Sequence, residues 1–191
     1  NDTILQLEVN TYSDLWYKTD TTDNTKKFFA GVSKDALTAT DITEFNVAVS
    51  KMSETGTIHM LASYEKSESE TTEVPAGKNI TVVRDEGFTD ASVFKITKGT
   101  FTIDATDTSS SITFDGNKDN VTASINRGGM FYVNNRGSIK LNGAEKTVEN
   151  QKEKTIIIKN NAISPTSSYA FGGGICIDSD ETNTLTNCSI T

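Results

Sequence analysis

Three stretches in the second half of the chain repeat one pattern of short strands, and this repeat constrains the fold more than any other feature. The first runs from Val93 to Asn117, the second from Met130 to Asn161, and the third begins at Gly174. Each has a strand, a tight turn, a second strand, a variable loop and a third strand. Such self-similarity is typical of a solenoid, in which every unit pairs its backbone with its neighbours. We therefore predict an all-β parallel β-helix with three strands per rung.

The apolar positions of the three units align, and this alignment predicts a register. The alternative is a β-sandwich, in which the alternation would be coincidental and successive strands would form hairpins with two-residue turns. The predicted stacks are Phe94 with Phe131 and Ile175, Ile96 with Val133 and Ile177, Phe101 with Ile139, Ile103 with Leu141, Ile112 with Ile156, and Phe114 with Ile158.

Apolar residues alternate with polar ones throughout the chain after Gly56, which predicts strands separated by polar turns. The candidate strands are 57–61, 79–84, 92–97, 100–104, 111–115, 129–134, 137–141, 155–160 and 173–178, followed by strands at 184–186 and 188–190. The predicted polar insertions are 62–73, 116–128, 142–154 and 162–171.

One amphipathic helix is predicted before the first rung, over residues 41–56. Its apolar stripe consists of Ile42, Phe45, Val49 and Met52. Asp41 is the expected N-cap, Glu44 completes a capping box, and Gly56 is expected to end the helix. A solenoid has to cover its open ends, so this helix is predicted to cap the N-terminal end.

The chain therefore divides into a strand-rich extension or cap element at 1–40, the capping helix at 41–56, and β-helix rungs at 57–191. Within the extension, residues 5–9 and 15–17 are candidate strands, and Phe28 and Phe29 are expected to be buried. The strand pattern continues to the last residues, so further rungs are expected beyond Thr191.

Composition excludes several classes of function. The 26 acidic and 18 basic residues give a formal charge of −8 and no basic cluster, which argues against nucleic-acid binding. No apolar run is long enough for a membrane-spanning helix, so no membrane insertion is expected.

The single histidine, His59, alternates with apolar residues and is predicted to face solvent in a strand. Cys176 and Cys188 are predicted on opposite faces and not disulfide-bonded.

Carboxylates at the predicted rung corners are the remaining source of chemistry. A carbohydrate-active β-helix needs acids stacked on neighbouring rungs. Asp115 is predicted to stack over Lys159, and Asp104 near Asn142, so no stacked acid pair is expected and no catalytic residue is assigned. The acidic segment 178–183 could bind Ca²⁺, but it lacks the pattern of an EF-hand loop, and no metal ligand is assigned.

Two pairs of outward-facing residues are the candidate ligand-binding residues: Lys95 with Tyr132, and Asp115 with Lys159. A lysine beside a tyrosine on a flat sheet can stack on a sugar or join an interface. At the rung corners, Asn117, Asn160 and Asn161 are expected to support left-handed backbone, which asparagine tolerates.

Short motifs carry a resemblance to a known class of proteins. Residues 172–175 have the form G-G-x-I, and residues 114–117 and 131–134 have the form F-x-x-N. Residues 74–82 are similar to the segment with which the parallel β-helices of that class often begin. The chain thus resembles bacterial right-handed parallel β-helix surface proteins of the polymorphic outer membrane protein and adhesin-like type.

That resemblance implies a right-handed helix at the bacterial surface or outside the cell, without enzymatic activity. The expected function is a scaffold that presents loops 62–73, 116–128 and 142–154 to a host glycan or protein. The alternative is a carbohydrate-active β-helix enzyme, a lyase or hydrolase, or a fragment of one. No cofactor is expected, apart from the open possibility of Ca²⁺.

Overall fold

A computed structural model describes residues 11–120, 129–162 and 172–191, so the strand predicted at 5–9 and parts of two predicted loops lie outside the described residues. Its helix is α1 (Phe45–Lys51). Its strands are β1 (Tyr12–Thr19), β2 (Lys26–Gly31), β3 (Leu37–Ala39), β4 (Met52–Met60), β5 (Tyr64–Lys66), β6 (Glu70–Glu73), β7 (Asn79–Arg84), β8 (Phe94–Ala105), β9 (Ser111–Asp115), β10 (Phe131–Gly143), β11 (Glu145–Val148), β12 (Gln151–Lys154), β13 (Ile156–Lys159), β14 (Ile175–Ser179), β15 (Thr184–Thr186) and β16 (Cys188–Ile190).

Two open sheets contain most of these strands. The eight-stranded sheet has the order β16-β13-β9-β7-β4-β1-β2-β3. The six-stranded sheet has the order β14-β10-β8-β5, with β6 also paired to β8 and β15 to β10. From β7 onward the chain passes from one sheet to the other and back, and β11 and β12 form a separate hairpin. The predicted mostly β fold is thereby confirmed, whereas its assignment as a β-helix stays a prediction.

Strands of successive repeats pair in parallel with the predicted register. Phe131 lies beside Phe94 and Ile175, and Phe101 lies beside Ile139. The stacks of Ile112 on Ile156 and Phe114 on Ile158 are also formed. The period-two pattern sets this register, because a slip of one residue would turn every buried side chain to the outer face. Hairpins, which the sandwich alternative needs between successive strands, occur among the described strands only in β1–β3 and β11–β12.

Two tight turns predicted between strands are bends within single strands. The predicted strands 92–97 and 100–104 are both parts of β8, and 129–134 and 137–141 are both parts of β10. Gly99 has a φ of 74°, and the register of β10 shifts between Val133 and Arg136, beside Asn135 with a φ of 55°. A bulge keeps the two halves in one ladder while redirecting the strand, so the sequence pattern of a turn is present without a break in pairing.

The segment 62–73, predicted to be a polar loop, instead contains strands β5 and β6. Both pair in parallel with β8, which places Tyr64 beside Phe94 and Glu70 beside Phe101. Their inward positions include Glu70, Lys66 and Thr72, so the apolar alternation that signals a strand is missing here. The predicted loop 142–154 contains the hairpin β11–β12.

The helix is much shorter than the predicted span of 41–56. It begins after Glu44, which makes no side-chain cap bond, so neither the Asp41 cap nor the capping box is formed. It ends at Lys51, because the backbone of the next residue, Met52, is extended, and Gly56 lies within β4. The predicted apolar stripe is nevertheless buried, since Phe45, Val49 and Met52 are 0% exposed and Ile42 is 9% exposed.

The core lies between the two sheets and contains a column of aromatic rings. Phe94 stacks on Phe131 with ring centres 5.0 Å apart and meets Phe114 of the facing sheet at 5.7 Å. At the N-terminal end, Phe45 of α1 meets Phe94 at 5.1 Å and Phe101 at 6.1 Å. The helix thus covers the interior at this end, where the antiparallel strands β1–β3 also extend the eight-stranded sheet. As predicted, Phe28 and Phe29 are buried.

Asparagines at the predicted corners adopt left-handed backbone at Asn117 (φ 47°) and Asn160 (φ 54°), but Asn161 is not among the residues with positive φ.

We expect Asn160→Ala to lower the free energy of unfolding by about 1–3 kcal/mol, because alanine is strained in this region. Asn160→Gly loses the same amide bonds to Asp115 without the strain, so it should cost less. Urea unfolding measures both, and equal losses would contradict a conformational role.

Candidate functional site

The first predicted pair, Lys95 and Tyr132, lies on the outer face of the six-stranded sheet. The two residues are register neighbours on β8 and β10. Glu65 of β5 lies on the other side of Lys95, with 3.6 Å between its carboxylate and the Lys95 Nζ. The face therefore presents a row of an acid, a base and an aromatic ring.

The second predicted pair, Asp115 and Lys159, lies on the eight-stranded sheet. Asp115 and Lys159 are neighbours in register, as predicted, and their charged groups are 3.5 Å apart. Asn160 donates its side-chain amide to both oxygens of Asp115 at 3.1 Å. Since the two pairs belong to different sheets, the four predicted residues do not form a single site.

A groove that the sequence did not predict lies beside α1 and the edge strand β6. Its volume is about 690 Å³. It is bordered by the helix, the outer positions of β6, and the turns that follow β6 and β8. Its polar side chains are Asn46, Ser50, Thr71, Glu73, Asp104, Thr106 and Asp107. These residues are called the acidic groove below.

Within the acidic groove, Glu73 and Asp104 are register neighbours on β6 and β8. The expectation that no acids stack on neighbouring strands was therefore wrong. It was wrong because Glu73 lies in the segment predicted to be a loop. The expected neighbour of Asp104 on its other side, Asn142, is confirmed. The two threonines of the segment E-T-T-E, a residue type common in strands, are the only local signal that could have indicated β6.

The carboxylates of the groove turns already bond to their own turns. Asp104 accepts hydrogen bonds from the backbone N–H and the hydroxyl of Thr106, and Asp107 does the same with Ser109. The bonds from Ser109 hold the pKa of Asp107 below its ordinary value. In the ranges 11–120, 129–162 and 172–191, no group of three or more His, Cys, Asp or Glu is placed to hold a metal ion.

Behind the groove, a buried polar cluster anchors the start of α1. Glu70 accepts hydrogen bonds from the Asn46 backbone N–H at 2.9 Å and from the Tyr64 hydroxyl at 2.6 Å, and its carboxylate lies 3.1 Å from Lys66. The Tyr64 hydroxyl also accepts the Phe45 backbone N–H. Two unpaired donors at the helix start are thus satisfied by side chains of β5 and β6. We call Tyr64, Lys66 and Glu70 the helix clamp.

Burial and charge shift the pKa values in this region. Burial, together with the bond to Glu70, raises the pKa of Tyr64, so its hydroxyl stays protonated. Burial alone would lower the pKa of Lys66, but its bonds to Glu44 and Glu70 outweigh burial and raise it. The bond from Lys66 lowers the pKa of Glu44. The cluster is therefore arranged for a charged lysine and a protonated tyrosine.

His59 points to the outer face of β4, as predicted, but it is largely covered rather than solvated. Its ring stacks on Trp16 with centres 4.6 Å apart and 6° between the ring planes. Its Nε2 lies 3.2 Å from Asp14 and its Nδ1 lies 3.3 Å from Asp85. Two carboxylates and an indole ring therefore hold the His59 imidazole in one orientation. None of these contacts is a hydroxyl or thiol that the imidazole could activate as a nucleophile.

Arg84 is a buried cation in the core that the described residues form. Arg84 continues the inward positions of β7 and is 1% exposed, and its guanidinium lies 5.1 Å from the centre of the Phe88 ring. Burial lowers its pKa to about 10. Its Nε and Nη2 have no hydrogen-bond partner.

Cys176 and Cys188 form no disulfide, as predicted.

Comparison with protein-family models found no matching family, and comparisons with curated proteins and with solved structures found no match. Across the part of the chain that the structure describes, no helix is long and apolar enough to cross a membrane. The proposals that follow therefore depend on geometry and sequence pattern.

Proposed function

We propose that this chain is the capped part of a right-handed parallel β-helix that works as a non-catalytic recognition scaffold at the bacterial surface or outside the cell. The observation that carries the proposal is the in-register parallel pairing of β8, β10 and β14 on one sheet and of β9, β13 and β16 on the other. Handedness follows from the strong right-handed preference of parallel crossovers. A regular ladder of this kind holds its connecting turns in fixed positions.

The recognition surface is the face where the chain passes from the six-stranded to the eight-stranded sheet. Three turns meet there, at 74–78, 105–110 and 144–155, and we call this surface the turn face. The Gly77 N–H donates to the Ser109 hydroxyl at 2.9 Å, and the Thr155 hydroxyl donates to the Ala105 carbonyl at 2.6 Å. These bonds link the turns of successive units, so the acidic groove and the hairpin β11–β12 lie on one surface.

The longest of the three connections on the turn face contains the hairpin β11–β12. Lys152 and Lys154 each lie within 3 Å of the Glu145 carboxylate, at 2.7 and 2.8 Å, and their bonds lower the pKa of Glu145 to about 2. At its tip, Glu149 and Asn150 both have positive φ, and Val148 is 41% exposed. Ordered hairpins on a rigid support present side chains at little further entropic cost, which favours binding.

The charge of the turn face limits the ligand class. Glu73, Asp104 and Asp107 make the groove acidic, and the whole chain has a formal charge of −8. Like charges repel across an interface, so acidic polymers are disfavoured. The proposed ligands are neutral or amino-bearing host glycans, or a basic protein surface.

A printed array of neutral, amino-bearing and acidic glycans, probed with the labelled full chain, tests the proposal. We expect binding to neutral or amino-bearing glycans, and at least about a tenfold loss of affinity when residues 146–153 are replaced by a Gly-Gly turn. Glu73→Gln should weaken only the amino-bearing ligands. Circular dichroism checks that each variant keeps its strands.

The matched control lies on the sheet face, where Lys95 and Tyr132 are the alternative ligand-binding residues. The variant Lys95→Ala with Tyr132→Ala should leave binding unchanged. If this control abolishes binding while the hairpin variant does not, the binding surface is the sheet face rather than the turn face. No binding to any glycan, or to basic proteins on the same array, would refute recognition by this chain.

The stacked acids Glu73 and Asp104 favour a second candidate function, cleavage of a polysaccharide. Paired carboxylates on neighbouring strands can act as acid and base across a glycosidic bond. Reducing-end release from the glycans that bind is the test. Release that disappears in Glu73→Gln and in Asp104→Asn would replace the scaffold proposal with an enzyme.

A further inference from the structure

Arg84 is the last residue of β7, at the end of the strand that lies away from the turn face, and its side chain is 1% exposed. Arginine is almost never fully buried unless its charge is paired. Its Nε and Nη2 have no hydrogen-bond partner, and no carboxylate among the described residues forms an ion pair with it. A positive charge therefore lies in the core without a counter-charge from the described residues.

The two unpartnered nitrogens are the pair with which an arginine holds an oxyanion. Nε and Nη2 lie on one edge of the planar guanidinium, and their N–H bonds point in the same direction. The Phe88 ring, whose centre is 5.1 Å from the guanidinium carbon, attracts the charge but has no oxygen to accept these bonds. This edge of Arg84 thus offers two parallel donors to a ligand with two acceptor oxygens.

The carboxylates closest to Arg84 along the strands have other partners. Asp85, the next residue, lies 3.3 Å from the imidazole of the histidine in β4. Asp115 of the adjacent strand β9 lies 3.5 Å from the lysine of β13. The two internal segments outside the described residues, 121–128 and 163–171, contain no Asp or Glu. An anion from solution is therefore the simplest source of the counter-charge.

The interior next to Arg84 is polar. β7 pairs with β9 so that Val83 lies beside Asp115. The next position along the strands places Arg84 beside Gly116, which has no side chain. The Oδ1 of Asn161 fills the space that a side chain of residue 116 would take, and this oxygen is buried without a donor. The same corner of the core thus contains unpaired donors and an unpaired acceptor.

We propose that Arg84 holds a small planar oxyanion, a carboxylate or bicarbonate, as a buried counter-ion. Nε and Nη2 donate to two of its oxygens, and its charge neutralises the guanidinium. The unpaired oxygen of Asn161 favours an anion with an O–H group of its own, which bicarbonate has and formate lacks. Burial lowers the pKa of Arg84 to about 10, so the guanidinium is still charged at neutral pH. Recognition by the turn face plays no part in this site.

Urea unfolding of the chain at constant pH and ionic strength tests the proposal, with sodium fluoride replaced stepwise by sodium formate or sodium bicarbonate. The fluorescence of Trp16 follows the transition, because Trp16 stacks on His59 of the strand next to β7. Each tenfold rise in free anion above its dissociation constant should lower the unfolding equilibrium constant about tenfold. A response to either anion supports the site, and the stronger response identifies the ligand.

Arg84→Met removes the charge and both donors but keeps a side chain of similar length, so its transition should be the same in all three salts. Arg84→Lys keeps the charge without the paired donors and should bind the anion at least about tenfold more weakly. The matched control Lys140→Met removes an exposed cation and should respond as the unchanged chain does.

Three results would overturn the proposal. They are an unchanged chain that unfolds identically in fluoride, formate and bicarbonate, an equal response in Arg84→Met, and a response to sodium chloride alone, which would assign the site to a halide. Nuclear magnetic resonance of ¹³C-labelled formate and bicarbonate checks binding directly. We expect a separate signal from the bound anion in the unchanged chain and in Lys140→Met, and none in Arg84→Met.

Discussion

Replacing Glu70 by alanine is expected to lower the free energy of unfolding by about 3–5 kcal/mol, because it removes one partner of a buried ion pair. The side chain of Glu70 is 4% exposed, and it holds Lys66, the Tyr64 hydroxyl and the Asn46 backbone N–H. Without it, all three donors lose an acceptor in a region with little access to water, and α1 loses its anchor. Urea unfolding followed by both circular dichroism and the fluorescence of Trp16 measures the loss.

The control for this prediction is Glu44→Gln, which changes the other carboxylate on Lys66. The side chain of Glu44 is 49% exposed, so water replaces much of what it contributes, and we expect a loss below about 1 kcal/mol. The conservative variant Glu70→Gln keeps the shape and should fall between the two. Losses of similar size in Glu44→Gln and Glu70→Ala would show that the helix clamp is not the anchor of α1.

Replacing Phe94 by alanine should cost about 3–5 kcal/mol, because it opens a cavity where the aromatic column meets the helix cap. Phe94 is 1% exposed and contacts the rings of Phe45, Tyr64, Phe101, Phe114 and Phe131. It joins both sheets and α1, so no neighbour can collapse into the space without losing other contacts.

Phe94→Leu keeps most of the volume and should cost less than about 1.5 kcal/mol. Thr102→Ala, on an outward position of the same strand, should change stability by less than about 0.5 kcal/mol. The same unfolding assay ranks the three variants. A small loss in Phe94→Ala would mean that the column is not the centre of the core.

Most of the strand register was predictable because the repeats alternate apolar and polar residues, and burial of one face leaves a single register. The pairing of Phe94 with Phe131 and of Ile112 with Ile156 follows from that pattern. The pattern is absent in β5 and β6, where Lys66, Glu70 and Thr72 occupy inward positions. Glu70 accepts the Asn46 backbone N–H of α1, and Lys66 pairs with Glu70. These partners are distant in sequence from the helix, so no local signal indicates the bonds.

The same reason explains the errors in the helix and in the site. Local capping residues were expected to start the helix at Asp41. The helix starts instead where Tyr64 of β5 and Glu70 of β6 accept the first backbone N–H groups of α1. The acidic groove needs β6 to be a strand, so it could not be predicted while that segment was assigned as a loop. The outward pairs Lys95–Tyr132 and Asp115–Lys159 were placed correctly as neighbours because they lie on strands with clear alternation.

The stacking of Trp16 on His59 also determines what a spectroscopist sees when this chain unfolds. Trp16 is the only tryptophan, and it lies in β1, with four strands between it and β16 in the sheet order. Its emission therefore records the loss of structure around β1 and β4 and says little about the distant strands. A ladder of repeats can melt in stages, and backbone ellipticity counts every strand. We expect the ellipticity transition to begin at a lower urea concentration than the fluorescence transition, so a two-state fit to either signal alone would misjudge how cooperative the fold is.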